Sequence, residues 1–122
     1  PEGQQYAITR VLRVEDALRL LAERPFGAML LDISMHEGPG LDSLMRASAA
    51  TRSVPVVVLT YQRDEATALK AARAGAQDCL SRGEVTPDLI SRTIVHAIER
   101  HKILQQLTEA KQRQRFLATH DS

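Results

Sequence analysis

Three side chains that could handle a phosphoryl group each lie just after an apolar run of the sequence. Asp32 follows one run, Thr60 follows the next, and Arg82 lies just beyond a shorter third run. The carboxyl ends of parallel strands open into one crevice, so these side chains should meet there. A carboxylate in that crevice can act as a nucleophile, while a hydroxyl and a cation stabilise the transferred oxygens. Each residue alone also fits a turn or a solvated loop, and only the ordered set favours phosphoryl transfer.

The elements that must position these residues alternate between strand and helix. Unbroken apolar runs closed by turn residues are typical of strands buried on both faces of a sheet. Apolar residues at helical spacing, with capping residues at their ends, predict the helices between them. The predicted strands cover residues 6–11, 28–32, 54–60 and 78–80, and the predicted helices cover residues 14–22, 41–50, 64–74 and 87–119. This order predicts an α/β fold with a parallel sheet and flanking helices.

Composition and charge exclude several classes of protein. A chain of 122 residues with 43% hydrophobic content is sufficient for one domain with its own core. The net charge of +1 gives no indication of nucleic-acid binding. The single cysteine, Cys79, excludes an intramolecular disulfide, and no apolar run reaches membrane-spanning length. Residues 1–5 do not form a signal peptide, so we expect a cytoplasmic protein that neither enters a membrane nor binds nucleic acid.

Three motifs resemble the receiver domain of two-component response regulators, the CheY-like family. Leu-Leu-Asp-Ile-Ser-Met, followed by Gly40 and Leu41, resembles the loop that carries the phosphate-accepting aspartate. Val-Pro-Val-Val-Val-Leu-Thr resembles the fourth strand of that family, and Ala-Gly-Ala-Gln-Asp-Cys-Leu-Ser-Arg-Gly resembles the segment that ends the fifth. The resemblance implies a flavodoxin-like sheet in the order 2-1-3-4-5. It also implies phosphotransfer from a histidine kinase to Asp32 with Mg²⁺, and contacts from Thr60 and Arg82 to the phosphoryl group.

The chain departs from the pattern of this family at several positions. Arg82 stands for the family's lysine, Cys79 for its aromatic switch residue, and His36 for a proline. The family's acidic pair is also missing, which leaves only Asp32 and the Ser34 carbonyl for Mg²⁺. Because Mg²⁺ requires near-octahedral oxygen ligation, we expect no tightly bound metal. A second interpretation therefore stays open, a degenerate pseudo-receiver that acts as a phosphorylation-independent dimerisation and interaction module.

The start of the chain lacks the strand and helix that open a receiver domain. Only residues 1–5 precede the first predicted strand, where the family has a complete strand and helix. We therefore expect a fragment of a longer protein or a start that is not ordered. If the chain is complete, a second copy should cover the gap, for instance by exchanging an element.

The last predicted helix carries two apolar stripes on roughly opposite faces. The first stripe should pack on the domain and comprises Leu89, Ile90, Ile94, Ala97 and Ile98. The second has the 4-3-4-3 spacing of a short coiled-coil seam and comprises Ile103, Leu107, Ala110, Gln114 and Leu117. We expect residues 1–100 to form the receiver domain and residues 101–122 to form a homodimerising linker to an output domain. The alternative is a solvated helical tail.

The final residues, Phe-Leu-Ala-Thr-His-Asp-Ser, resemble the start of a GGDEF diguanylate cyclase domain. The resemblance implies that the output domain makes cyclic di-GMP. The competing interpretation is the start of a histidine kinase. None of the catalytic residues of a cyclase lie within these 122 residues, so we expect this chain to signal and not to catalyse a reaction of its own.

Overall fold

The computed structural model describes residues 7–33, 40–61 and 65–120, apart from the side chains of residues 40–41 and 117–120. Strands and helices alternate along the chain, as the sequence predicts. The elements are α1 (Val14–Glu23), β1 (Met29–Asp32), α2 (Gly40–Ala50), β2 (Val56–Thr60), α3 (Glu65–Arg73), β3 (Asp78–Ser81) and α4 (Pro87–His120).

The three strands form one parallel sheet in the order β1-β2-β3. Asp32 is aligned with Leu59 in the first pairing, and Thr60 is aligned with Ser81 in the second. Because the strands are parallel, their carboxyl ends lie along a single edge of the sheet. The predicted fold class, a flavodoxin-like parallel sheet with flanking helices and a long C-terminal helix, is confirmed.

The predicted strand at residues 6–11 is wrong for the part of it that the structure describes. Residues 7–11 are irregular, and Tyr6 lies outside the described residues. The side chains of Ile8 and Leu12 are 85% and 90% exposed. A strand must pair its backbone N–H and C=O groups, and no described strand pairs with this segment. The apolar pattern of the segment is therefore not matched by a neighbouring strand.

The core has one layer on each face of β2, which is the central strand. Val56 and Val58 pack with Leu44 of α2 and Ala71 of α3 on one face. On the other face, Val57 packs with Leu80 and with Ala97 of α4. The three valines are 0–2% exposed, so every residue of this stretch is buried. A strand that is buried on both faces has no need to alternate apolar and polar residues, which explains the unbroken run in the sequence.

Helix α4 packs on the sheet with its first half and leaves it with its second half. The Leu89 N–H donates a hydrogen bond of 3.1 Å to the Thr86 hydroxyl, which caps the helix directly before Pro87. Further along, the Arg100 guanidinium contacts the Asp78 carboxylate at 3.2 Å. Every described side chain from residue 102 to residue 116 is exposed. Among the described helices, none is at once long enough and apolar enough to cross a bilayer.

Candidate functional site

Asp32 is the last residue of β1 and lies at the carboxyl edge of the sheet. The next residue, Ile33, donates its N–H to the Leu59 carbonyl at 2.9 Å, so pairing with β2 continues just beyond the aspartate. This pairing fixes the Asp32 backbone, while its side chain is 39% exposed. The carboxylate is thus held by a rigid element and is still accessible to a reactant from solvent.

Arg82 follows β3 and contacts this carboxylate from the other side of β2. The Arg82 N–H donates to the Thr60 carbonyl at 2.8 Å, which holds its backbone at the end of the central strand. Its Nη1 atom lies 3.9 Å from Asp32 Oδ2. Since β2 lies between β1 and β3, the Arg82 side chain extends across the end of β2 to reach Asp32. The structure therefore brings these two sequence-predicted residues together.

Thr60 lies at the same edge, and its side chain is directed into the protein. The residue is 3% exposed. Its hydroxyl donates a hydrogen bond of 3.2 Å to the Leu80 carbonyl of β3. The Cys79 thiol lies 4.0 Å from the same hydroxyl. For Thr60 to donate to a phosphoryl oxygen, the hydroxyl would have to give up the Leu80 carbonyl, which a change of side-chain rotamer would allow.

The contact between Cys79 and Thr60 is a feature of the site that sequence reasoning missed. In the sequence, Cys79 stands where the family has its aromatic switch residue, and this resemblance does not pair it with Thr60. In the sheet, Cys79 is aligned with Val58, two residues before Thr60, so both side chains emerge on the same face. The alternation of side chains along paired strands was the signal that could have revealed this contact.

The residues that the structure describes do not fit Mg²⁺. Asp32 faces a guanidinium, and no three His, Cys, Asp or Glu side chains in the described part of the chain are close enough together to hold a metal. Ser34, the other predicted ligand, lies outside the described residues. Mg²⁺ requires about six oxygen ligands in octahedral geometry. The described donor set therefore gives no basis for a metal-dependent step.

Comparisons with known proteins identify the family of the chain. The family described as "Response regulator receiver domain" matches residues 2–94. The swarming motility regulation protein RssB of Serratia marcescens is 33% identical over 87 residues, which cover 71% of this chain and 39% of RssB. The response regulator protein PilR of Pseudomonas aeruginosa is 35% identical over 81 residues, which cover 66% of this chain and 18% of PilR. The chain thus spans less than half the length of either relative.

Solved structures show the same fold. A LuxR-family two-component response regulator from Aurantimonas sp. SI85-9A1 superposes with a TM-score of 0.69 at 19% identity, covering 90% of this chain and 82% of that one. A response regulator from Burkholderia pseudomallei, solved with a phosphorylated aspartic acid, a calcium ion and citrate, gives a TM-score of 0.58 at 21% identity, with coverage of 88% and 66%. Together with the match over residues 2–94, these similarities establish that the chain belongs to the response regulator receiver domain family of two-component systems.

Proposed function

We propose that Asp32 accepts a phosphoryl group from a histidine kinase and that α4 relays the phosphorylated state to an output domain. The observation that carries this proposal is the contact of 3.9 Å between Arg82 and Asp32 across the end of β2. A carboxylate alone at a strand end could serve many purposes. A carboxylate with a guanidinium beside it has both the nucleophile and the positive charge that an incoming phosphoryl group requires.

The transfer exchanges one bond to phosphorus for another. An Asp32 carboxylate oxygen attacks the phosphorus of the kinase phosphohistidine, the new P–O bond forms as the P–N bond breaks, and the histidine nitrogen keeps the electron pair of the broken bond. The Arg82 guanidinium lies where it can offset the negative charge on the phosphoryl oxygens. Thr60 would exchange its hydrogen bond to the Leu80 carbonyl for one to a phosphoryl oxygen. Receiver domains of this family generally bind Mg²⁺, and only Asp32 of the two predicted ligands lies among the described residues.

The second candidate function is a pseudo-receiver that works without phosphorylation. Two observations favour it. Arg82 is a planar fork where the family has a compact ammonium, so it makes different contacts with a tetrahedral phosphoryl group. Cys79 is too small to move as the switch aromatic residue of the family does, and its thiol lies against the Thr60 hydroxyl. In this case the contact between Asp32 and Arg82 would be structural only.

Phosphorylation of the full-length protein by acetyl phosphate separates the two candidates. We expect intact-mass spectrometry to show the addition of one phosphoryl group to the wild type and none to Asp32→Asn. Asp88→Asn is the matched control, because Asp88 is an exposed carboxylate that is paired with Arg92 on α4. It should be modified like the wild type. A wild type that shows no mass change would support the pseudo-receiver, and an Asp32→Asn variant that is still modified would refute the assignment of the acceptor.

We also propose that residues 1–100 form the receiver and residues 101–122 a linker that dimerises. The exposure of α4 supports this division, because the helix is in contact with the body up to His101 and exposed beyond it. Exposed apolar side chains on the second half, Ile103, Leu104 and Leu107, support a partner helix. We propose a GGDEF diguanylate cyclase as the output domain and the cytoplasm as the location. Cyclic di-GMP formation from GTP by the purified full-length protein would test the output, and its absence would refute it.

A further inference from the structure

A second cleft lies at the opposite end of the sheet from Asp32. It has a volume of about 460 Å³ and is bordered by the ends of α2 and α3, the residues that lead into β2, and His101 of α4. Val54, Pro55 and Val56 form an apolar floor and are buried. Small-molecule sites in proteins have volumes of about 300–1,000 Å³, largely apolar walls and a few polar groups. The volume of the cleft falls in that range, and its lining is about equally polar and apolar.

Every ionisable side chain in the lining of this cleft is basic. Arg52 comes from the loop after α2, Arg73 is the last residue of α3, and His101 comes from α4. No aspartate or glutamate belongs to the lining. Neither arginine forms an ion pair with a carboxylate in the part of the chain that the structure describes. Two guanidinium groups are therefore available to an anion, which arginine binds through paired N–H donors.

The helix ends at the cleft offset these charges only in part. The C-terminus of a helix carries partial negative charge because its last carbonyls lack partners. At the end of α3, the Lys70 and Ala71 carbonyls accept from the Ala74 and Ala76 N–H groups at 3.0 Å. At the end of α2, the Ala47 carbonyl accepts from the Thr51 N–H at 3.0 Å. These carbonyls already have hydrogen bonds, so they oppose an anion less than free helix ends would.

An unsatisfied polar atom at the same place is a second, independent observation. The Nε2 atom of His101 is buried and has no hydrogen-bond partner among the described residues. Such an atom costs free energy unless a ligand or water satisfies it, so buried polar atoms without partners are rare. His101 is also the last residue of α4 that contacts the body of the domain, and the run of exposed side chains follows it. A ligand in the cleft would therefore contact α4 where it leaves the domain.

We infer that this cleft binds a small phosphate-bearing molecule. The phosphate lies between Arg52 and Arg73, the body of the ligand covers the apolar floor, and His101 borders the ligand. The inference does not depend on phosphotransfer to Asp32. Asp32 lies at the carboxyl ends of the strands, the cleft lies at the amino end of β2, and the two sites share no residue.

Isothermal titration of the full-length protein tests this inference with two probes, inorganic phosphate and adenosine monophosphate. We expect saturable binding of both and tighter binding of the nucleotide, because its base can cover the apolar floor. Arg52→Gln and Arg73→Gln should each weaken binding roughly tenfold, since each removes charge-assisted hydrogen bonds. Arg92→Gln on α4 and Arg82→Gln beside Asp32 remove the same charge elsewhere and should leave the affinity within about twofold of the wild type.

Three results would overturn the inference. If all four variants weaken binding equally, the interaction is with the net charge of the protein. If Arg82→Gln abolishes binding while Arg52→Gln and Arg73→Gln do not, the phosphate binds at the edge that carries Asp32. Equal affinities for phosphate and nucleotide would refute the role of the apolar floor. A protein that binds phosphate in the cleft and is not modified by acetyl phosphate would refute only the proposed function, and the reverse result only this inference.

Discussion

At the scale of single residues, Arg82 contributes a charge and adds little to stability. Its side chain is 55% exposed and that of Asp32 is 39% exposed. Exposed ion pairs contribute about 0–1 kcal/mol, because water screens the charges and two side chains lose freedom. The placement of Asp32 and Arg82 at the ends of strands is the part of the site that the sequence predicted, since apolar runs define where strands end. The direction of the Thr60 hydroxyl was not predictable, because a rotamer depends on neighbours from other strands.

We expect Arg82→Gln to separate stability from phosphorylation. Removing the guanidinium should slow modification of the full-length protein by acetyl phosphate by about 100-fold, as loss of one stabilising charge at a reacting group typically does. The free energy of unfolding in urea should change by less than about 1 kcal/mol. Arg19→Gln, which breaks the exposed pair with Asp16 on α1, is the control. It should leave the rate of modification unchanged and change the free energy of unfolding by less than about 1 kcal/mol. Equal rates for the wild type and Arg82→Gln would contradict a role of Arg82 in transfer.

Glu15, in the first turn of α1, provides a test of electrostatics away from the site. A hydrogen bond from its own backbone N–H, followed by the Arg46 guanidinium, lowers the pKa of the Glu15 carboxyl. A carboxyl whose pKa is lower in the folded state stabilises the fold above its unfolded pKa, and this contribution is lost as pH falls through the folded pKa. The Glu15 side chain is about half exposed, so the contribution is small.

We expect Arg46→Gln to raise the pKa of Glu15 and to leave it below the value of an unfolded glutamate. The guanidinium, 2.9 Å from Glu15 Oε1, is lost in this variant, while the stronger influence of the backbone hydrogen bond remains. Carboxyl-carbon NMR across the acidic range measures this shift directly. Arg92→Gln is the control on another helix and should not move the Glu15 titration. An unchanged pKa in Arg46→Gln would show that the pair does not form in solution.

At the scale of elements, apolar runs predicted three strands and failed on a fourth. Val56, Val57 and Val58 are recognisable because a strand buried on both faces needs an unbroken apolar run. Residues 7–11 contain similar side chains and form no strand, because pairing depends on a neighbouring strand that a local pattern cannot reveal. The contact between Arg100 and Asp78 also joins residues 22 apart, a separation at which a local pattern gives no signal.

The turn after α3 depends on Gly75, which has a φ of +112°. The carboxyl end of α3 is also close to α2 here, since a Cβ on Gly75 would collide with the Ser48 Oγ atom. We expect Gly75→Ala to lower the free energy of unfolding by about 2 kcal/mol or more, because left-handed backbone costs a residue with a Cβ about 1–2 kcal/mol before any collision. Urea denaturation of the full-length protein, followed by circular dichroism, measures the loss.

Two further variants make this result specific. Gly83→Ala is the matched control, because a Cβ there would meet no atom within 4 Å, and we expect a change within about 0.5 kcal/mol. In a Ser48→Gly background, Gly75→Ala should cost only the backbone part of the loss, because the collision with the Ser48 side chain is absent. Equal stability of Gly75→Ala and Gly83→Ala would mean that the turn adapts without cost.

At the scale of the whole molecule, α4 packs on the body of the domain with its first half and is exposed in its second half. The helix has 34 residues and is therefore about 50 Å long at 1.5 Å per residue. Its second half exposes Ile103, Leu104 and Leu107, each at 51–54%. Apolar side chains that recur on one side of an exposed helix are typical of a coiled-coil seam. A short seam is marginal by itself, so an assembly through α4 should depend strongly on single seam residues.

We expect Leu107→Lys to shift the full-length protein from dimer to monomer, because it places a charge in the centre of the proposed seam. Sedimentation equilibrium should show the dissociation constant rising at least tenfold, the effect of about 1.4 kcal/mol. Gln112→Lys introduces the same charge about half a turn away from the seam and is the matched control, which should remain dimeric. A wild type that is monomeric at all concentrations, or equal effects of the two substitutions, would contradict dimerisation through this face.

Because α4 is one continuous helix, the receiver determines both how far from it a following domain lies and how that domain is rotated about the helix axis. The packing of buried Ala97 against Val57 fixes the rotation of the helix about its own axis, and each further residue turns the backbone by about 100°. The rotation of any domain joined to the far end of α4 therefore depends on the number of residues in between. One residue gained or lost in the exposed half would rotate such a domain by more than a quarter of a circle, whereas seven residues would nearly restore its heading.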